Sequence, residues 1–169
     1  MSTPTEVVRK YLEAHNSHQV EQTMACVTDT FRFEMSGAWT RIGKDSMRQL
    51  EEWDAVVNDN ISYTIFKEDQ DKVYFEASET CNWYSVFNIS EIQYNQCVAT
   101  VKGDLVSELV VKYSPESEQA LAVAFTKVLK WAEKGHKKEI DMLMPVGEFI
   151  YNRKNAEIWL NLVKGWMKG

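Results

Sequence analysis

"YLEAHNSHQVEQTMACVTDTFRFEMSG", residues 11–37, changes its hydrophobic rhythm partway through. Val7, Tyr11, Ala14 and His18 fall on one helical stripe, with Val8, Leu12 and His15 beside it. Thr3 and Pro4 suit the start of that helix, and "NSH" (16–18) breaks it. Val20, Met24 and Val27 continue a second, shorter helix. At "FRFEM" (31–35) the period drops from about 3.6 to 2, which marks a strand with Phe31 and Phe33 on one face.

Outward from there, "SGAWTRIG" (36–43) reads as turn, and "KDSMRQLEEWDAVV" (44–57) as a third helix with Met47, Leu50, Trp53 and Val57 inward. Strands follow at 61–68, 73–89, 93–101 and 105–113, and their short polar connections suit antiparallel hairpins. Beyond Tyr113 the pattern is helical. One helix buries Leu121, Phe125, Val128 and Ala132, and a short one is ended by Pro145. The last opens near Asn152 or Asn155 and presents Ile158, Trp159, Leu162, Val163 and Trp166 on one side. Helices segregated to one side of an antiparallel sheet define the α+β class. The expected division is an α+β domain over 1–113 and a helical extension over 114–169 packed on it.

The chain's 169 residues suit a single domain, and 44% hydrophobic with 12% aromatic residues supplies a sizeable core. The net charge of −6 is interspersed, and the one Lys-rich cluster, "EKGHKKE" (133–139), is flanked by glutamates. A nucleic-acid footprint is a one-signed basic face, so nucleic acid is not an expected partner. Cys26, Cys81 and Cys97 have no CxxC or Cys/His spacing and read as reduced, buried thiols of a cytosolic protein. The start lacks an apolar signal core and no run approaches a membrane span, so a cytoplasmic protein without a membrane partner is expected.

The opening stretch, "GKDSMRQLEEW" (43–53) and the hairpin "ATVKGDLVSELVVKYS" (99–114) resemble the superfamily of nuclear transport factor two, ketosteroid isomerase and the SnoaL-like polyketide cyclases. The family pattern is a helix with a tyrosine, four residues and Asn, then a small helix, an aspartate and the first strand. The resemblance covers roughly residues 5–113. It implies a cystatin-like cone, a strongly bent antiparallel sheet wrapped around the N-terminal helices. Such a cone encloses a small apolar or amphipathic molecule and often pairs as a homodimer. Members include isomerases, cyclases, dehydratases, epoxide hydrolases and non-catalytic binding proteins.

Tyr11 matches the tyrosine that donates to the oxyanion in ketosteroid isomerase, although a tyrosine on a helix face is also ordinary core. That enzyme's base position aligns with Met35 and its partner acid near Cys97. Methionine does not titrate and a neutral thiol is a poor donor, so the known isomerase chemistry is not expected.

Glu79 sits in an otherwise apolar strand row, Val73, Phe75, Ala77, Glu79, Cys81, Trp83, Ser85 and Phe87. Such a carboxylate is either a pocket acid–base with a raised pKa, or is displaced by a bulge or paired at an edge. Glu108, between Val106 and Val110, is either a pocket acid or an interface ion pair. Arg32 and Glu34 alternate with the phenylalanines and face outward. His15 and His18 are three apart without further ligand spacing, so no metal is expected, and His15 remains a pocket candidate. Trp39, Trp53, Trp83, Tyr63, Tyr84 and Trp131 either wall a pocket or fill the core.

The leading expectation is a cofactor-free isomerase, cyclase or dehydratase, with Tyr11 orienting substrate and Glu79 as acid–base. The rivals are a non-catalytic ligand-binding module and a dimeric interaction protein with a filled cone. A cavity bordered by both Glu79 and Tyr11 favours the enzyme. The last helix covers either its own domain, as a lid, or a second subunit. The favoured arrangement is a homodimer in which the tail covers its own domain.

Overall fold

The structure, a computed structural model, describes all 169 residues. Helix α1 (Pro4–Asn16) begins with a capping box, in which the Thr3 hydroxyl accepts from the Glu6 N–H and the Glu6 carboxylate accepts from the Thr3 N–H. Its other end is fixed by Asn16. That amide donates to the Ile61 carbonyl and accepts from the Ile61 N–H, both at 2.8 Å. His18 adopts a left-handed turn (φ 58°), which separates it from His15.

Helix α2 (Val20–Met24) is shorter than its rhythm implied, because Val27 already belongs to β1 (Val27–Met35). The segment read as turn contains a short strand, β2 (Trp39–Ile42), paired with β1 through Met35 and Trp39. A strand of four residues, set between Gly37 and Gly43, is too short to display a period. Helix α3 (Lys44–Val57) buries Met47, Leu50, Trp53 and Val57, and also Glu51. It ends at Asn58, whose left-handed conformation (φ 55°) lets the Asp59 N–H return to the Asp54 carbonyl at 2.9 Å. This cap brings Asp54 and Asp59 to the same end of the helix.

Strands β3 (Asn60–Asp69), β4 (Lys72–Thr80), β5 (Ile92–Lys102) and β6 (Leu105–Tyr113) complete one sheet in the order β2-β1-β6-β5-β4-β3. Neighbours are antiparallel except β1 and β6, which run parallel, so the sheet is mixed rather than wholly antiparallel. The expected strand over 73–89 stops at Thr80. The Asn82 N–H donates to the Val57 carbonyl at 2.8 Å, drawing the chain off the sheet into a 3₁₀ turn at Tyr84–Phe87. Cys81, Trp83, Ser85 and Phe87 therefore do not extend the Glu79 row. Register shifts around Asn95–Gln96 in β5 and Ser107 in β6 mark bulges that bend the sheet.

Helices α4 (Pro115–Ala132), α5 (Lys137–Leu143) and α6 (Arg153–Lys168) follow. Asn152 caps α6 by accepting from the Asn155 N–H at 2.9 Å, which resolves the choice of start. Trp159, Leu162 and Val163 are buried, whereas Ile158 and Trp166 are half-buried. Trp159 stacks on Phe125 (4.8 Å between centroids) and meets Trp83 edge-on (5.4 Å), joining α6 to α4 and to the 3₁₀ turn. Buried side chains from the sheet, α1, α3 and the C-terminal helices form one continuous core. No helix is long and apolar enough to cross a membrane.

Candidate functional site

A cavity of about 140 Å³ lies against the inner face of the bent sheet, between α1 and α3. Helix α1 contributes Tyr11, Leu12 and His15. Helix α3 contributes Met47, Leu50 and Trp53, and the strands contribute Phe33, Met35, Trp39, Phe75, Ala77, Cys97, Leu109 and Val111. Leu121 and Phe125 of α4 and Tyr151 of the segment before α6 complete the wall. Tyr151 and Phe149 pack edge-on against Trp53 at 5.0 and 5.3 Å, so the C-terminal region forms part of the enclosure.

Tyr11, His15, Met35, Trp39, Trp53, Glu79, Trp83 and Cys97 all border this cavity. Glu108 does not. The shift at Ser107 turns Leu109 and Val111 inward, and Glu108 instead pairs with Arg32 at 3.1 Å on the partly exposed side. Tyr63 and Trp131 also lie elsewhere: Tyr63 packs edge-on against Phe75, and Trp131 stacks on His136 at 4.6 Å. Gly165 lets α6 approach Trp131 closely, since an added Cβ would sit 3.1 Å from that ring.

One end of the cavity is polar. His15, buried in α1, is sandwiched between carboxylates, with Nδ1 2.9 Å from Glu51 and Nε2 2.9 Å from Asp59. Burial alone would lower its pKa, but the charges and hydrogen bonds of Glu51 and Asp59 outweigh that and hold it well above its ordinary value. Both ring nitrogens then donate, and His15 is an imidazolium.

Glu79 accepts hydrogen bonds from Tyr84, in the 3₁₀ turn, and Tyr94, in β5. The bulge beside Tyr94 sets it opposite Ala77, next to Glu79 on the same face. Burial, then the charge of Asp59, pushes the Glu79 carboxyl up to about 8, against the opposing effect of the two tyrosines. At neutral pH Glu79 therefore carries its proton. Asp54 is also held well above the carboxylate range, by burial first and then by Asp59, and its side chain has no hydrogen-bond partner. The Asp59 Oδ1 atom is buried without a fixed donor, and the raised carboxyls of Glu79 and Asp54 lie near it.

The Tyr11 hydroxyl makes no hydrogen bond within the protein, and burial followed by the charge of Glu51 keeps it protonated as a donor. Burial likewise pushes the Cys97 thiol up to about 12, which rules it out as a ready nucleophile.

Glu51, Asp54, Asp59, Tyr84, Tyr94, Tyr113 and Tyr151 were not singled out from the sequence as site residues, apart from Tyr84 as a wall aromatic. The signal for two of them was present: Met47, Glu51 and Asp54 follow i, i+4, i+7 on the buried side of α3. The neighbouring ligand atoms of His15, Asp54 and Asp59 lie within 4.8 Å of one another, a one-nitrogen, two-oxygen set of the kind divalent transition metals use. His15 would have to surrender its imidazolium proton to join it.

No protein-family model matches the sequence, and no curated protein matches it. Solved structures do. The epoxide hydrolase/cyclase-like enzyme SalBIII, of pyran ring formation in salinomycin, has TM-score 0.59 at 16% identity over 68% of this chain and 92% of its own. A LEH-like epoxide hydrolase from M. tuberculosis has TM-score 0.57 at 13% identity over 75% and 94%. An NTF2-like protein from Cytophaga hutchinsonii has TM-score 0.55 at 14% identity over 69% and 94%. A designed protein with a curved β-sheet also matches, which separates this fold from any one chemistry. This chain has the cone fold of the NTF2-like, ketosteroid isomerase-like and SnoaL-like cyclase structures.

Proposed function

We propose that the protein is an enzyme of the isomerase, cyclase or hydrolase kind that moves protons on a small apolar or amphipathic substrate held in the cone. The observation that carries this reading is that Glu79 and Asp59 both border the polar end of an apolar cavity, near enough for the charge of Asp59 to raise the Glu79 carboxyl. Adjacent carboxyls cannot easily both ionise, so one keeps a proton and the other serves as its base. Asp59, oriented by the His15 imidazolium, accepts a proton from a substrate C–H or from water. Glu79, neutral at pH 7, delivers one to a developing oxyanion or an opening ring oxygen. Tyr11 adds a hydrogen bond to that oxygen. Acid–base chemistry of this sort needs no cofactor. A carrier of a neutral apolar molecule would need only the apolar walls.

The homodimer belongs to the same proposal, as does a cytoplasmic setting, which suits three free cysteines. The cavity is close in size to one that holds benzene, about 150 Å³. Ring-sized probes are therefore the test: hydrolysis of cyclohexene oxide and isomerisation of 3-cyclohexenone. Turnover of either is expected to fall about 10²–10⁴-fold in both Asp59→Asn and Glu79→Gln. Turnover unchanged in both variants would refute the assignment.

A further inference from the structure

Four carboxyl groups border or support this cavity, namely Glu51, Asp54, Asp59 and Glu79, and the one basic side chain among its lining residues is His15. Even with His15 charged, the acids outnumber it, and buried uncompensated charge is costly. Glu51 is satisfied by His15, and Glu79 by two tyrosines. Asp54 has no partner, and Asp59, only 4% exposed, has its Oδ1 without a fixed donor. These unpartnered oxygens belong to residues that line the cavity, and their ligand atoms lie within 4.8 Å of each other. The walls around them are aromatic: Trp53, Trp39 and Tyr151 present rings to the same space. Aromatic rings attract cations, and two of these already do, since the Arg41 guanidinium lies 5.2 Å from Trp39 and 5.1 Å from Tyr151. Arg41 does not itself line the cavity.

We propose that the cavity takes an organic cation, a ring-sized apolar molecule carrying a protonated amine, with its ammonium group held by Asp54 and the free oxygen of Asp59. The inference rests on the cavity described above as a ligand site and names the class of molecule that occupies it. Ammonium N–H groups supply the donors that Asp54 and Asp59 lack, and the aromatic rings receive the rest of the charge. A metal ion fits less well, because both ring nitrogens of His15 are committed to carboxylates and an imidazolium offers no lone pair. The bound cation takes over the neutralising task of the proton on Asp54, so binding is accompanied by proton release, while Glu79 keeps its own proton between Tyr84 and Tyr94.

The test is calorimetric titration of the full-length protein at pH 7 with three isosteric probes: benzylamine (charged), benzyl alcohol (neutral) and benzoate (anionic). Benzylamine is expected to bind at least about tenfold more tightly than benzyl alcohol, with benzoate weakest. Its heat should vary with buffer ionisation enthalpy, as proton release requires. Asp54→Asn should abolish the preference while still binding benzyl alcohol, which also shows that the variant folds. Equal or tighter binding of benzyl alcohol, or a preference that survives Asp54→Asn, overturns the inference but leaves the acid–base site standing. Zn²⁺ binding that depends on Asp54, with no preference for the amine, overturns it in favour of a metal centre. If none of the probes binds, the cavity is not a ligand site and both readings fall.

Discussion

Replacing His15 with glutamine removes the one positive charge inside the acidic end of the cavity. The imidazolium makes two contacts at 2.9 Å, to Glu51 and to Asp59, and all three residues are less than 10% exposed. Hydrogen bonds to charged groups contribute about 1.5–3 kcal/mol each, and breaking a buried ion pair costs about 3–5 kcal/mol. A loss of about 3–5 kcal/mol is therefore expected for His15→Gln near pH 6. At about 2–4 °C per kcal/mol for a domain of this size, the melting temperature should fall by roughly 6–20 °C. The pH dependence has a definite sign. The folded-state pKa of His15 is raised, so its share of stability is fully present below the unfolded value of 6.5 and is lost as pH rises through the folded value. Urea unfolding of both proteins at pH 6, 8 and 10 should show the gap narrowing towards the alkaline end. A variant as stable as the parent at pH 6, or a gap that widens with pH, would refute the charged sandwich.

Glu79→Gln should change the pH profile in a related way. With a carboxyl pKa raised from 4.5 to about 8, the parent loses stability as pH climbs through that window, at up to about 1.4 kcal/mol per pH unit. The variant lacks this loss and should gain on the parent between pH 5 and pH 9, as read by denaturant midpoints. Trp159→Ala should cost about 3–5 kcal/mol, because that ring is fully buried among Phe125, Phe149 and Trp83. Deleting residues 152–169 should expose apolar surface, and an unchanged melting temperature would show the tail to be independent of the cone. Native mass spectrometry should give a dimer, and a monomer at micromolar concentration would end that proposal.

The parts of the fold legible in the sequence are those with enough residues to show a period. The stripe of α3, the cap at Thr3–Pro4 and the Trp159 face of α6 are long or chemically distinctive, and all three lie as their patterns implied. β2 was too short to register, and the end of β4 was hidden because Cys81, Trp83 and Phe87 continue an apolar alternation after the chain has left the sheet. Only a long-range bond, Asn82 to Val57, ends the strand. Glu79 could be found because an acid in an apolar row is conspicuous. Asp59 could not, because its position depends on the left-handed turn at Asn58. Glu108 looked equivalent to Glu79 until the shift at Ser107 turned it outward.

The claim on which the account turns is that Glu79, beside Asp59 at the polar end of the cavity, holds a proton at neutral pH. Carboxyl ¹³C chemical shifts followed against pH in glutamate-labelled protein, with Glu79 assigned through Glu79→Gln, measure this directly. The account predicts a Glu79 resonance that titrates near 8, well apart from the surface glutamates. A Glu79 resonance that titrates with the surface glutamates, below about 5, would contradict it.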